Sequence, residues 1–227
     1  MQDPFALDGP RLPARNGNPD SLVILLHGLG SDGNDLIGLA PYWAPQLPNT
    51  AFVSPNAPFP CDMAPYGYQW FSLLDRSPQR ILAGVQAAAP ILDAFITQEL
   101  ERHGLDESRL ALVGFSQGCM MSLHVAPRRA KPVAQVLGYS GRLIGADLLK
   151  AEARSKPPVL IVHGTADQVV PFDSLAASEE GLKAAGIPVE TLSRPGLAHS
   201  IDERGLQDGA ARLIRAFRHD SANAIKP

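Results

Sequence analysis

Short, almost wholly apolar runs recur along this chain, and segments of helical periodicity separate them. Ser21-Leu22-Val23-Ile24-Leu25-Leu26 is the first run; without polar alternation, it predicts a strand covered on both faces. Ala51–Val53, Leu110–Val113, Val133–Leu137, Pro158–Val162 and Pro188–Leu192 predict further strands. Leu36–Trp43 predicts a short helix that Pro45 and Pro48 break. Residues 79–102 predict a long one, with Ile81, Val85, Ala88, Leu92, Phe95 and Ile96 on one side, Pro90 inside and Gly104 at its end. Cys119–Ala126 before Pro127, Phe172–Ala185 before Gly186, and Ile201–Phe217 complete the helices. Strands separated by helix-length segments predict an α/β chain with a mostly parallel, doubly wound central sheet and helices on both faces. No internal repeat or linker divides residues 21–220, which read as a single domain. Residues 1–20, with several Pro, Gly and Asn, read as a loosely ordered arm. Residues 55–75 form a long loop, interrupted by proline and glycine, that carries much of the aromatic content.

Composition narrows the classes of function. The chain has 227 residues, 45% of them hydrophobic, enough to bury one sizeable core. A net charge of -3 with six scattered histidines offers no basic stripe for nucleic acid. No apolar run reaches membrane-spanning length, and Met1-Gln2-Asp3-Pro4-Phe5 lacks the basic and apolar regions of a signal peptide. Cys61 and Cys119 make no disulfide framework; a reducing cytoplasm is the simplest home for them.

The chemistry enters at Gly114-Phe115-Ser116-Gln117-Gly118, which follows the 110–113 strand without a spacer and leads into a helix. G-x-S-x-G between strand and helix is the setting of a nucleophile elbow. A serine at so sharp a turn has strained dihedrals, and the neighbouring backbone comes so close that the residues two before and two after must be glycine. The hydroxyl then projects above the sheet, with the helix N-terminus and the Gln117 N–H aimed at the same space. Taken alone, the motif also fits an ordinary turn whose serine caps the helix. Gly28-Leu29-Gly30-Ser31-Asp32-Gly33 satisfies G-x-G-x-x-G after a strand. The next strand, however, ends Val53-Ser54-Pro55-Asn56, without the carboxylate that a dinucleotide ribose needs. The same loop puts the Leu29 N–H beside the elbow, as the second donor of an acyl-transfer site.

A serine hydroxyl needs a base to take its proton, and the base needs a carboxylate to fix its tautomer. In this architecture the partners lie in loops after later strands, in the order Ser, Asp/Glu, His. Asp167 follows the 158–162 strand and His199 the 188–192 strand. Each also has a plainer reading, Asp167 as a turn residue and His199 as a polar residue near the closing helix. Asp147 lies further into its connection, His163 precedes any such acid at the strand end itself, and His219 sits near the C-terminus. In the aromatic loop, Met63, Trp70, Phe71 and Leu73 are candidates to line an acyl pocket, with simple anchoring of the loop as the alternative.

With these residues in place, the chain resembles the small serine carboxylesterase/phospholipase family of the α/β-hydrolases, which includes the acyl-protein thioesterases. The resemblance spans residues 22–215 and leaves the N-terminal arm outside. It rests on L-L-H-G-L-G-S-D-G-N-D at 25–35, S-P-N-A-P at 54–58, W-F at 70–71, the G-F-S-Q-G elbow and H-G-T-A-D-Q-V-V-P at 163–171. It implies an α/β-hydrolase fold, with Ser116 as nucleophile, Asp167 as orienting carboxylate, His199 as base, and Leu29 and Gln117 as oxyanion donors, without cofactor or metal. The implied activity is hydrolysis of carboxylic esters of short to medium acyl chains, with lysophospholipids or acyl-protein thioesters as alternatives. Arg76-Ser77-Pro78 is more like the bacterial esterase members than the protein depalmitoylases of animal cells. The expected partner is a small ester or thioester, not nucleic acid, and a homodimer stays open. A non-catalytic ligand-binding α/β module is the alternative from another class.

Overall fold

In a computed structural model, which describes residues 6–218, the apolar runs become strands of one sheet. Met1–Phe5, weighed above as a signal peptide, and His219 lie outside the described residues. In chain order the sheet's strands are β1 (Arg11–Leu12), β2 (Ser21–Leu26), β3 (Thr50–Val53), β6 (Leu110–Phe115), β7 (Gln135–Tyr139), β8 (Val159–Gly164) and β9 (Val189–Arg194). Two further strands, β4 (Phe59–Pro60) and β5 (Tyr68–Gln69), form a separate antiparallel hairpin inside the aromatic loop. The seven-stranded sheet runs in the order β1-β3-β2-β6-β7-β8-β9. It is parallel except for β1, which pairs antiparallel with β3 at one edge.

The absence of polar alternation in these strands follows from cover on both faces. Along β2, Leu22, Ile24 and Leu26 enter an apolar cluster shared with α3 (Pro78–His103), α4 (Gln117–Val125), α5 (Ala146–Glu152) and α6 (Asp173–Ala184). Val23 and Leu25 point the other way, into a cluster with α1 (Gly33–Ile37), α2 (Ala40–Trp43) and α7 (Glu203–Arg218). The period of two in the strand thus sorts neighbouring residues into two cores. A mostly parallel sheet between two helical layers is the α/β-hydrolase fold that the resemblance implies.

Several elements differ from the periodicity reading. The 36–43 helix is two short ones, because the Asp32 carboxylate accepts the N–H groups of Asn34 and Asp35 and starts α1 earlier. Helix α5 was not expected; of its seven residues only Leu149 is buried, so it leaves little periodic signal. Within the arm expected to be loose, β1 joins the sheet and Arg11 donates to Glu99 at 2.9 Å. Both partners are remote in sequence, so the local composition does not reveal them. Another correction concerns α3: by length and composition this 26-residue helix is apolar enough to cross a membrane, with a mean hydropathy of 1.3 over its most apolar window. In the fold, Ile81, Val85, Ala88, Leu92, Phe95 and Ile96 are buried in the first of the two clusters.

Candidate active site

The elbow is built by crowding. Ser116 leaves β6 at φ 54° and ψ −116°, a positive φ outside the regions that side chains favour, and α4 begins at the next residue. A methyl added to Gly114 would lie 2.3 Å from the Gly118 carbonyl, and one on Gly118 would lie 1.9 Å from the Leu26 oxygen. No side chain fits at either place, as the motif requires. The Ser116 N–H donates to the Tyr139 carbonyl at 2.9 Å, which pins the turn to β7. The Gln117 N–H, at the first position of α4, has no intramolecular acceptor among the described residues, and neither has the Leu29 N–H. The Leu29 loop runs along the elbow: a methyl on Gly28 would lie 3.2 Å from Ser116 Cβ. His27 holds the start of that loop as a neutral, fully buried imidazole. Its Nδ1–H donates to the Gly28 carbonyl at 2.7 Å, and Nε2 accepts the Ala57 N–H at 2.9 Å. Burial pushes its pKa down, which suits that tautomer.

Asp167 and His199, remote in sequence, meet above the C-terminal ends of β8 and β9. His199 Nδ1 lies 2.7 Å from Asp167 Oδ2; with the proton on Nδ1 it donates to the carboxylate and leaves Nε2 to accept. The other carboxylate oxygen accepts the N–H groups of Val169 (2.8 Å) and Val170 (2.9 Å). Burial pushes the Asp167 carboxyl up, but His199 and these two N–H groups outweigh it and hold the pKa below the ordinary value. His163, which the strand reading set aside, sits behind the pair. Its Nε2–H faces the Val170 carbonyl at 2.9 Å and Asp167 Oδ2 at 3.3 Å, and its ring is fully buried. The two loops are knitted together: Thr165 N–H donates to Arg194 O, Ala166 N–H to Leu197 O, and Gly196 N–H to Thr165 Oγ1. The His199 ring packs on Phe115, the residue before Ser116, with centroids 4.9 Å apart. No hydrogen bond joins Ser116 Oγ to His199 among the described residues; such bonds commonly stay loose until substrate arrives.

The aromatic loop grips both loops that carry the free N–H groups. Gly30 N–H donates to Tyr68 O, Tyr68 N–H to Ser31 O, and Gly67 passes so close that a methyl on it would lie 2.2 Å from Gly30 O. Trp70 N–H donates to Gln117 Oε1 at 3.0 Å, Gln117 Nε2 donates to Phe71 O at 2.8 Å, and Trp70 Nε1 donates to His27 O at 3.0 Å. Trp70 is 0% exposed and Phe71 2%, so neither offers surface to a ligand. Their burial and bonds fit anchoring, the alternative to pocket lining. Met63 is exposed, and Leu73 is half-buried against the core. A cavity of about 360 Å³, with walls from Ile81, Leu82, Leu143 and Ile144, opens between the start of α3 and the loop after β7. None of these four was a sequence candidate, since only the fold brings residues 81 and 143 together. A larger cavity, about 590 Å³, lies along α3 beside Leu7, Phe59 and Pro90 and contains none of the candidate residues.

Cys119 lies behind the elbow. Methyls on Gly138 and Gly141 would come within 2.5 Å of its Sγ and 2.4 Å of its Cβ, and burial pushes its thiol up to about 12. Both cysteines are free and buried. Among the described residues no cluster of His, Cys, Asp and Glu is arranged to hold a metal.

A family model described as Phospholipase/Carboxylesterase matches residues 8–215, which takes in most of the arm that the sequence resemblance left outside. Esterase YpfH of Escherichia coli K12 is 28% identical over 205 residues, covering 90% of this chain and 84% of that protein. Acyl-protein thioesterase 1 of Emericella nidulans is 28% identical over 223 residues, 89% of this chain and 93% of that protein. Among solved structures, esterase PE8 superposes with a TM-score of 0.90 at 42% identity, covering 93% of this chain and 99% of the other. Arabidopsis thaliana SOBER1 follows at 0.78 and 26%, covering 87% and 99%.

Proposed function

The chain belongs to the phospholipase/carboxylesterase family, hydrolases of small ester or thioester substrates, and from that premise we propose that Ser116, His199 and Asp167 carry the reaction. The observation that carries this reading is the 2.7 Å hydrogen bond of His199 Nδ1 to Asp167, with the imidazole packed on Phe115, the residue before the serine of a strained elbow. In the proposed mechanism His199 Nε2 takes the Ser116 proton as Oγ attacks the acyl carbonyl. Asp167 holds the tautomer and stabilises the imidazolium. The Leu29 and Gln117 N–H groups receive the tetrahedral oxyanion. His199 then gives its proton to the leaving alcohol or thiol, and water repeats the cycle on the acyl-enzyme.

Short to medium acyl esters are the proposed substrates, with the acyl chain directed to the cavity walled by Ile81, Leu82, Leu143 and Ile144; Met63 and Leu73 are not among its walls. A thioester is the second reading, favoured by the likeness to acyl-protein thioesterase 1 over most of both chains. Two free, buried cysteines suit a reducing compartment, and the cytoplasm is the proposed location.

Substitution tests the reading. Ser116→Ala should lower hydrolysis of a short aryl ester by at least about a thousandfold, with fold and substrate affinity little changed. His199→Ala should cost about as much, and the double variant should lose almost nothing more, since the two act as one unit. A Ser116→Ala protein that keeps about a tenth of the rate would make the elbow structural and favour a binding module. Running p-nitrophenyl esters of increasing chain length beside a palmitoyl thioester and a lysophospholipid separates the substrate readings.

A further inference from the structure

Among the described residues only two that are not glycine have positive φ: Ser116, at 54°, and Ser140, at 50°. They stand on adjacent parallel strands, at the C-terminal ends of β6 and β7, where Phe115 pairs with Tyr139. Left-handed backbone in a residue with a side chain is strained, and such strain persists only where the surroundings over-determine it. Glycine takes this conformation freely, so the turn itself does not call for a hydroxyl. Ser140 is fully buried, and its hydroxyl donates to the carbonyl of Ser200, the residue after His199, at 3.2 Å. Its N–H donates to Val162 O of β8 at 2.9 Å, while the carbonyl just before it, Tyr139 O, receives the Ser116 N–H. Gly141, just after it, packs on the elbow: a methyl there would lie 2.9 Å from Ser116 O.

The His199 loop has two kinds of tie. Thr165 and Ala166 fasten it to the Asp167 loop, and this fixes His199 relative to its carboxylate. Those ties do nothing to set the distance to the nucleophile. That distance depends on contacts to β6 and β7: the Phe115 ring under the imidazole, the Tyr139 hydroxyl on Gly205 O farther along in α7, and the Ser140 hydroxyl on Ser200 O. Of the two hydroxyl ties, Ser140's is the one next to His199. We propose that Ser140 is a positioning residue that holds the His199 loop over Ser116; this rests on the catalytic reading above.

The test compares Ser140→Ala, which removes the hydroxyl, with Ser140→Gly, which removes it and also relieves the strained backbone. In both, kcat for a short aryl ester should fall between about tenfold and a hundredfold, the scale of a small misplacement of a reacting group, while KM changes little. The far-downfield proton resonance of the His199 Nδ1–H should survive, because the bond to Asp167 is held by the other ties. In a His199→Ala background, Ser140→Gly should cost no further rate. Unchanged kcat in a folded Ser140→Gly protein, or a further loss without His199, would overturn the proposal and leave Ser140 a part of the turn alone. Loss of the downfield resonance together with the rate would also overturn it, by placing the effect at the Asp167 bond. A His199→Ala protein that retains the wild-type rate would bring down the catalytic reading itself, and this proposal with it.

Discussion

Asp167 stays ionised in a place that should neutralise it, and this has a signature in stability. Burial raises its pKa, yet the hydrogen bond from His199 and the Val170 and Val169 N–H groups more than offset that and leave the folded value below the ordinary one. A depressed pKa stabilises the fold fully above the unfolded value, about 3.9, and the gain is lost as pH falls through the folded pKa. Asp167→Asn, which cannot titrate, should therefore be less stable than wild type at pH 7, and the gap should close on acidification below about pH 4. Urea unfolding across that range measures it; a gap that does not depend on pH would assign the stabilisation to another group. At this scale the sharp turn at Ser116 and the meeting of Asp167 with His199 were legible because a spacing motif and an order of strands constrain them. Ser140, His163 and His27 were not. Only the finished sheet brings Ser200 to Ser140 and Ala57 to His27, and the buried His163 bonds within its own loop, which no pattern marks.

At the scale of elements, the aromatic loop is a clamp on two loops. Its β4–β5 hairpin holds the Gly28–Ser31 turn, and Trp70 and Phe71 hold the Gln117 side chain. Trp70→Ala should cost about 3–5 kcal/mol of stability, the usual range for emptying a buried aromatic site. Because both proposed oxyanion donors lean on the clamp, kcat should fall by a similar factor for acetate and for longer acyl esters. Steady-state kinetics across an acyl series checks this, and a penalty confined to long chains would return Trp70 to the pocket. The strands were readable because burial on both faces writes an unbroken apolar run. The hairpin was not, since two-residue strands carry no period; nor was β1, which exists because the open edge of β3 receives it. The pair α1 and α2 was mistaken for one helix because the Asp32 cap acts through local hydrogen bonds that an apolar pattern does not register.

For the molecule as a whole, the first described residues fasten to the middle of the chain. Glu99 of α3, with its side chain 2% exposed, is held by Arg11 at 2.9 Å and Arg102 at 3.1 Å, and its second oxygen is buried without a partner among the described residues. Arg11→Ala should destabilise the protein by about 1–3 kcal/mol, chiefly by leaving Glu99 under-compensated. Adding Glu99→Gln should recover part of the loss; if urea unfolding shows the two losses simply adding, the charge pairing contributes little. Read across the sheet, the order β2-β6-β7-β8-β9 has a temporal meaning. Synthesis delivers the chain N-terminus first. The strand that leads to Ser116 can pair with β2 while the segments that carry Asp167 and His199 are still to be made. On the proposed reading, a growing chain therefore holds a nucleophile with no base, harmless to every ester around it, until the loop after its last strand docks.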